Sequence, residues 1–118
     1  MGKDKDPKPI PAHFWASESG NEPVRDWLKK LPKKDRQTVG FDLRQLQFGW
    51  PIGMPLCRPI GKGLWELRST LASHRIARVF LTHHDGALIL LHGFIKKDQQ
   101  IPKADLELAR KRLRELTR

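Results

Sequence analysis

The sequence predicts an α+β domain, with a pair of helices followed by a run of strands and a last helix. Two observations support this class. Apolar residues recur at helical spacing between residues 21 and 48, and between 56 and 95 the pattern changes to four short apolar segments joined by short connectors. The chain has 118 residues, which suits a single core of modest size. We therefore expect one domain over residues 12–118, preceded by a flexible, proline-rich lead-in at residues 1–11.

The first part of the domain should supply a short strand and a helical hairpin. Residues 12–19, "AHFWASES", can form the strand. Apolar side chains then repeat over residues 21–31, Pro32 interrupts the helix, and a second helix is expected at about 33–48. The apolar positions are Val24, Trp27, Leu28, Leu31, Val39, Leu43, Leu46 and Phe48. Each helix has one apolar face, so the hairpin should lie on a sheet.

The second part of the domain should supply that sheet and its other cover. Strands are expected at 56–60, 64–70, 75–82 and 87–95, and the connectors "GKG", "LASH" and "HHDG" are short enough for hairpins. These strands should form an antiparallel meander. Pro102 then begins a partly amphipathic last helix. The predicted architecture is a helical hairpin and a C-terminal helix around a curved, antiparallel-rich sheet.

The charge of the chain indicates a polyanionic or acidic partner. Lysine and arginine number 23 against 13 acidic residues, which gives a net charge of +10. The excess is concentrated in the predicted sheet, where residues 54–97 contain only Glu66 and Asp85 as acids. The cations there are Arg58, Lys62, Arg68, Arg75, Arg78, Lys96 and Lys97. This distribution favours a shaped anion site.

Other compositional features exclude several classes of protein. Cys57 is the sole cysteine, so the chain has no internal disulfide framework. No apolar segment follows the charged N-terminus and none is long enough to cross a bilayer, so we expect a cytoplasmic protein without a membrane partner. His83 and His84 lack further metal ligands at recognisable spacing, and phosphate-binding glycine motifs are absent. We expect no metal and no other cofactor.

Strand alternation sorts the candidate side chains. Glu66 and Arg68 should share one face of their strand, opposite Trp65 and Leu67. In the last strand, regular alternation places Leu88, Leu90, His92, Phe94 and Lys96 on one face and Lys97 on the other. Arg75 and Arg78 have opposite parity, so a regular strand cannot direct both to one site.

Each of these features also has a purely structural interpretation. Glu66 and Arg68 could form a cross-strand ion pair on a wet sheet face. Lys96 and Lys97 could be a solvated strand end. His92 on an apolar strand is more often a hydrogen-bonded core residue than a catalyst.

Taken together and in order, four segments resemble the RelE/HigB superfamily of bacterial toxins, and most closely its HigB-like, phage-related branch. They are "GKGLWELR" at 61–68, "RIARVF" at 75–80, "LLHGFIKKDQQIP" at 90–102 and "ADLELARKRL" at 104–113. The resemblance covers about residues 24–116. It implies a RelE-like microbial RNase fold and an mRNA endonuclease that acts on the ribosome. It also implies a cognate antitoxin, commonly a helix-turn-helix protein like HigA, through which alone the chain would meet operator DNA.

The resemblance also implies roles for particular residues. Arg68, Arg78 and Lys96–Lys97 match the basic positions associated with RNA binding and cleavage, and forked arginine donors suit phosphate oxygens. His92 is the best conventional acid or base. The predicted catalytic set is Arg68, Arg78, His92 and Lys96, and the predicted RNA-binding set is Trp65, Glu66, Arg75 and Lys97.

The sequence has no tyrosine, which some relatives use as a base or stacking platform, so the assignment of base and acid stays open. Trp65 or Phe94, or the ribosome, would have to supply any stacking. The alternative function is a non-catalytic basic module that binds RNA or an acidic protein.

Overall fold

The computed structural model describes residues 8–53, 55–96 and 101–118. The elements are β1 (Ala12–Phe14), α1 (Pro23–Lys30), α2 (Lys33–Gly49), β2 (Cys57–Gly61), β3 (Leu64–Thr70), β4 (Ile76–His84), β5 (Ala87–Lys96) and α3 (Lys103–Thr117). A short 3-10 turn, Ala72–His74, joins β3 to β4. The predicted α+β class is confirmed, and the architecture is compatible with a RelE-like fold.

The strands form one five-stranded mixed sheet in the order β1-β5-β4-β3-β2. Strands β2 to β5 pair antiparallel in sequence, as the hairpin connectors predict. Asp85 and Gly86, with φ of 49° and 78°, provide the left-handed residues of the tight turn between β4 and β5. Strand β1 is shorter than predicted and pairs in parallel with β5. It ends early because the chain bends at Ser17, whose carbonyl accepts a hydrogen bond from the Gly20 N–H at 2.9 Å.

The sheet has two covered faces, each with its own core. The hairpin face carries α1 and α2, and its buried residues include Val24, Val39, Leu46, Leu67, Val79 and Leu90. The α3 face carries the C-terminal helix, and its buried residues include Leu64, Phe80, Ile89, Leu91, Phe94 and Ala109. Helix α3 packs mainly on β5 and β4. The half of this sheet face formed by β5 and β4 is therefore covered more closely than the half formed by β3 and β2.

A β-bulge at Leu91 changes which side chains share a face of β5. The pairing with β4 passes from Phe80 opposite His92 to Leu81 opposite Leu90, which leaves Leu91 as the extra residue. The prediction that Leu90 and His92 share a face is therefore wrong. Leu88 and Leu90 belong to the hairpin-face core, whereas His92 stacks with Phe94, which belongs to the α3-face core. Alternation beyond the bulge keeps Lys96 with His92.

Arg112 of α3 supports this bulge. Its NH1 donates a hydrogen bond to the Leu91 carbonyl at 2.7 Å, and its guanidinium lies 4.8 Å from the centre of the Trp15 ring. Burial lowers the pKa of Arg112, although nearby Glu115 opposes that shift. A charged donor on a carbonyl within the irregular segment stabilises the geometry that brings His92 to the α3 face.

The end of the predicted lead-in is tied to the domain. The Ile10 N–H donates to the Gln47 carbonyl at 2.9 Å, and the Gln47 side-chain amide donates to the Ile10 carbonyl at the same distance. Residues 1–7 lie outside the described part of the chain. Among the described helices, none has the length and apolar composition required to span a membrane.

Candidate functional site

The α3 face carries a histidine–carboxylate pair. His92 lies on β5 and Asp105 in the first turn of α3, and His92 Nε2 is 2.6 Å from Asp105 Oδ1. The two side chains are 16% and 26% exposed, so a ligand at the edge of α3 could reach them. A carboxylate in this position fixes the orientation of the ring. With Nε2 held by Asp105, Nδ1 is the ring nitrogen left for proton exchange with a ligand.

Phe94 and Lys96 continue this row along β5. The His92 and Phe94 rings stack with centroids 5.6 Å apart and planes 22° from parallel. Phe94 is buried, and Lys96 at the strand end is half-buried. The row thus passes from a carboxylate-supported imidazole, across an aromatic ring, to an ammonium group at the margin of the sheet. An imidazole can transfer a proton and an ammonium group can bind an anion, and a rigid strand holds such groups in fixed positions.

Arg68 lies on the same face, two strands away. It is paired across the sheet with Arg78, which is paired in turn with Phe94. With strands about 4.8 Å apart, the Arg68 backbone is roughly 10 Å from that of Phe94. The side chain is half-buried, and its Nε is buried without a hydrogen-bond partner among the described residues. Of the predicted catalytic residues, strand pairing places Arg68, His92 and Lys96 on this face, and Arg68 also lines a cavity at the edge of β3 with Thr38 and Asp42 of α2.

Arg78 and Glu66 lie on the same face but in the interior. Both side chains are 0% exposed, and Arg78 NH1 is 3.0 Å from Glu66 Oε2. Arg58 Nε donates to the other carboxylate oxygen, Oε1, at 2.7 Å. Direct contact with RNA was predicted for Arg78 and Glu66, but their burial does not support it. Buried charges of this kind require partners, and Glu66 partners both Arg78 and Arg58.

Arg75 and Trp65, which were also predicted to bind RNA, are not brought to this face. Arg75 pairs with Asp35 of α2, through NH1 to Oδ2 at 2.9 Å and NH2 to Oδ1 at 3.1 Å. Trp65 packs against the hairpin-face core, with its ring centroid 4.8 Å from that of Trp50. Arg75 lies just before β4 rather than within it, so its contact with α2, and not strand alternation, separates it from Arg78. Lys97 lies outside the described residues.

Sequence reasoning missed two residues of this arrangement. Asp105 was not connected to His92, because contact between β5 and α3 depends on how the helix docks. Arg58 was identified only as one of the cations of the predicted sheet, and its pairing with Glu66 was not predicted. The sequence did indicate this pairing, because residues 58 and 66 lie three positions before and three positions after the short "GKG" connector and face each other across the hairpin.

Cys57 and the acidic groups offer no further chemistry at this site. Burial, with a smaller contribution from the Glu66 carboxylate, raises the pKa of the Cys57 thiol from 9.0 to about 11. A thiol held protonated in this way is a poor nucleophile. Within residues 8–53, 55–96 and 101–118, no group of three or more His, Cys, Asp or Glu side chains is placed to hold a metal ion.

Comparison with known families places this geometry in context. The family model "Phage derived protein Gp49-like (DUF891)" matches residues 26–114, which is about three quarters of the chain. The chain belongs to this family. Gp49-like proteins form a phage-derived, toxin-like family of the RelE kind. The match contains Arg68, His92, Lys96 and Asp105, so the whole candidate site of this Gp49-like chain lies inside the family region. No curated protein sequence matches the chain.

Proposed function

We propose that this Gp49-like protein is the toxin of a type II toxin–antitoxin system, of the HigB-like branch, and cleaves mRNA on the ribosome without a metal. The observation that carries the proposal is the set of groups on the α3 face. His92 is supported by Asp105 at 2.6 Å, and the half-buried Arg68 and Lys96 lie on the same face of the sheet. Proton transfer and charge stabilisation are the two demands of RNA cleavage next to a 2′-hydroxyl.

The proposed reaction uses these groups in separate roles. The 2′-oxygen attacks the adjacent phosphorus, the bond to the 5′-oxygen breaks, and a 2′,3′-cyclic phosphate remains. His92 exchanges a proton with the reacting oxygens, while Asp105 stabilises the imidazolium. Arg68 and Lys96 stabilise the charge that builds on the phosphate. Arg78 acts from the interior by holding Glu66 in place, and Glu66 in turn holds Arg58.

The proposal includes a partner and a place of action. A protein of net charge +10 that must be silenced suits an acidic antitoxin, since opposite charges accelerate association. We propose a helix-turn-helix antitoxin like HigA as that partner and mRNA on the ribosome as the substrate. Contact with operator DNA would occur through the antitoxin, and the site of action would be the cytoplasm.

The test is cleavage of ribosome-bound message, mapped by primer extension after induction. His92→Gln should lower the rate by about 10²–10⁴-fold, as expected for loss of a proton-transfer group. Asp105→Asn should lower it by about 10–100-fold, because the imidazolium loses a charged partner. His13→Gln is the matched control, since His13 is an exposed histidine on β1. A folded His92→Gln protein that cleaves at the parental rate would contradict the assignment.

A second function is supported by a separate observation. The chain has no tyrosine, and the His92–Asp105 pair is mostly buried, as a structural hydrogen bond would be. The candidate is a non-catalytic basic module that binds RNA or an acidic protein. Under this alternative, the parental protein binds RNA but leaves ribosome-bound message intact, and its expression alone does not arrest growth.

A further inference from the structure

The two helices of the hairpin leave a gap over the middle of the sheet. Helix α1 contacts β5 and β1, whereas α2 contacts β3, and β4 lies between them in the sheet. A cavity of about 280 Å³ opens in this gap, between Leu28 of α1 and Leu43 of α2, with Val79 of β4 and Leu90 of β5 at its floor. We call this cavity the hairpin groove. An apolar cavity of about 150 Å³ can hold benzene, so the hairpin groove has room for about two large apolar side chains.

The rim of the hairpin groove is basic. Arg25 and Lys29 of α1 and Arg36 of α2 line it, and all three are exposed. Glu22 Oε1 lies 3.5 Å from Arg25 NH1 and offsets one of these three positive charges, so the rim keeps a net positive charge. An apolar floor with cationic edges fits a ligand that has apolar side chains in the middle and carboxylates at its margins.

Gly40 supports a docking role for the hairpin groove. It lies inside α2 and lines the groove, although glycine in a helix interior costs about 1 kcal/mol relative to alanine. A Cβ built at Gly40 would meet no atom within 4 Å, so no contact within the described chain explains the glycine. The next residue, Phe41, is 63% exposed, which is unusual for a large apolar side chain. A missing side chain beside an exposed ring allows another backbone to approach α2 closely.

We propose that the hairpin groove is the docking site for an amphipathic, acidic helix of a partner protein. The helix would insert apolar side chains spaced three and four residues apart between α1 and α2, and its carboxylates would pair with the rim. The apolar floor disfavours RNA as the occupant, and mutual repulsion between chains of net charge +10 disfavours a second copy. Identification of this partner as the neutralising antitoxin rests on the proposed function. The groove lies on the opposite side of the sheet from His92, so its occupant need not touch the candidate catalytic groups.

The probe is a fluorescently labelled, 16-residue helical peptide with leucines along one stripe and glutamates beside it. Two control peptides carry lysines in place of the glutamates, or serines in place of the leucines. Fluorescence anisotropy with the full chain measures the dissociation constant. We expect the acidic peptide to bind at micromolar concentration, more weakly as salt rises, and at least about tenfold more tightly than either control.

Substitutions in the full chain locate the binding site. Gly40→Leu fills the groove with a residue that favours the helix, so the dissociation constant should rise at least about tenfold while the free energy of unfolding is kept or increased. Lys29→Glu should weaken binding of the acidic peptide and strengthen that of the lysine peptide. Gln45→Leu is the matched control, because it adds the same side chain at an exposed position of α2 outside the groove.

The outcomes separate this inference from the proposed function. Equal binding by the parental and Gly40→Leu proteins, equal binding of acidic and basic peptides, or no binding of the acidic peptide would overturn the hairpin groove as a docking site. Cleavage of ribosome-bound message is measured on the same Gly40→Leu protein and should stay at the parental rate. If the parental protein binds the acidic peptide but does not cleave ribosome-bound message, the proposed nuclease function is rejected and the hairpin groove remains a docking site.

Discussion

The most informative perturbation of this protein is Arg78→Ala. Arg78 was predicted from the sequence to contact RNA, where its removal would cost little stability, but its side chain is fully buried against Glu66 at 3.0 Å. Removal of one partner from a buried pair typically costs about 3–5 kcal/mol, because the other charge remains buried. Arg58 stays bonded to Glu66 at 2.7 Å, which reduces the loss, so we expect about 3 kcal/mol.

That loss is large for a domain of this size. At about 2.1 cal/mol/K of unfolding entropy per residue, 118 residues give roughly 250 cal/mol/K, so 3 kcal/mol corresponds to a fall of about 12 °C in Tm. Urea unfolding followed by tryptophan fluorescence measures the change directly. Arg58→Ala is the matched control. Its side chain is 33% exposed, solvent screens its charge, and the expected loss is about 1 kcal/mol.

A double variant tests the cause. Replacement of both Glu66 and Arg78 by leucine removes the buried charges together, so it should recover much of the stability lost in Arg78→Ala. If Arg78→Ala costs less than about 1 kcal/mol, or no more than Arg58→Ala, the buried ion-pair account is refuted. Because Arg78→Ala is expected to destabilise the protein, loss of toxicity in this variant indicates a functional role for Arg78 only if the concentration of folded protein equals that of the parental protein.

Three further predictions concern the strand that carries the candidate site and the thiol beside the ion cluster. Lys96→Ala should lower cleavage of ribosome-bound message by about 10–100-fold and Lys96→Arg by less; equal effects of the two changes would contradict a role based on charge. Arg112→Met should remove the 2.7 Å hydrogen bond to Leu91, destabilise the domain by about 1–3 kcal/mol and lower cleavage, although Arg112 is not one of the proposed catalytic residues. Normal cleavage by the folded variant would show that the bulge is held without this hydrogen bond. Burial raises the pKa of Cys57 from 9.0 to about 11, so the folded state holds the thiol proton more tightly than the unfolded chain does. The resulting contribution to the free energy of unfolding, roughly 2–3 kcal/mol, is full below pH 9 and is lost as pH rises toward 11. Unfolding curves measured in parallel for Cys57→Ala should not show this loss.

The sequence by itself determined the elements and most of their pairing. Helical periodicity predicted α1 and α2 to within a few residues, and the short connectors predicted the antiparallel order of β2 to β5, because hairpin geometry is local. Alternation within β3 placed Glu66 and Arg68 on one face and Trp65 on the other, and this is confirmed, since the strand is regular. The order of the motifs carried the resemblance to the RelE/HigB superfamily, and the observed architecture is compatible with the fold that this resemblance implied.

The tertiary structure decided what those side chains can do. The bulge at Leu91 accepts a hydrogen bond from Arg112, which lies in a helix about twenty residues later, and local alternation could not predict that His92 leaves the face of Leu90. Depth within the domain made Arg78 an interior partner of Glu66 and left Arg68 half-buried, although both are arginines on neighbouring strands. The contact of Asp105 with His92 and the gap between α1 and α2 arise only when helices dock on the sheet. Burial and docking are sums over many distant contacts, and for that reason a local sequence pattern does not encode them.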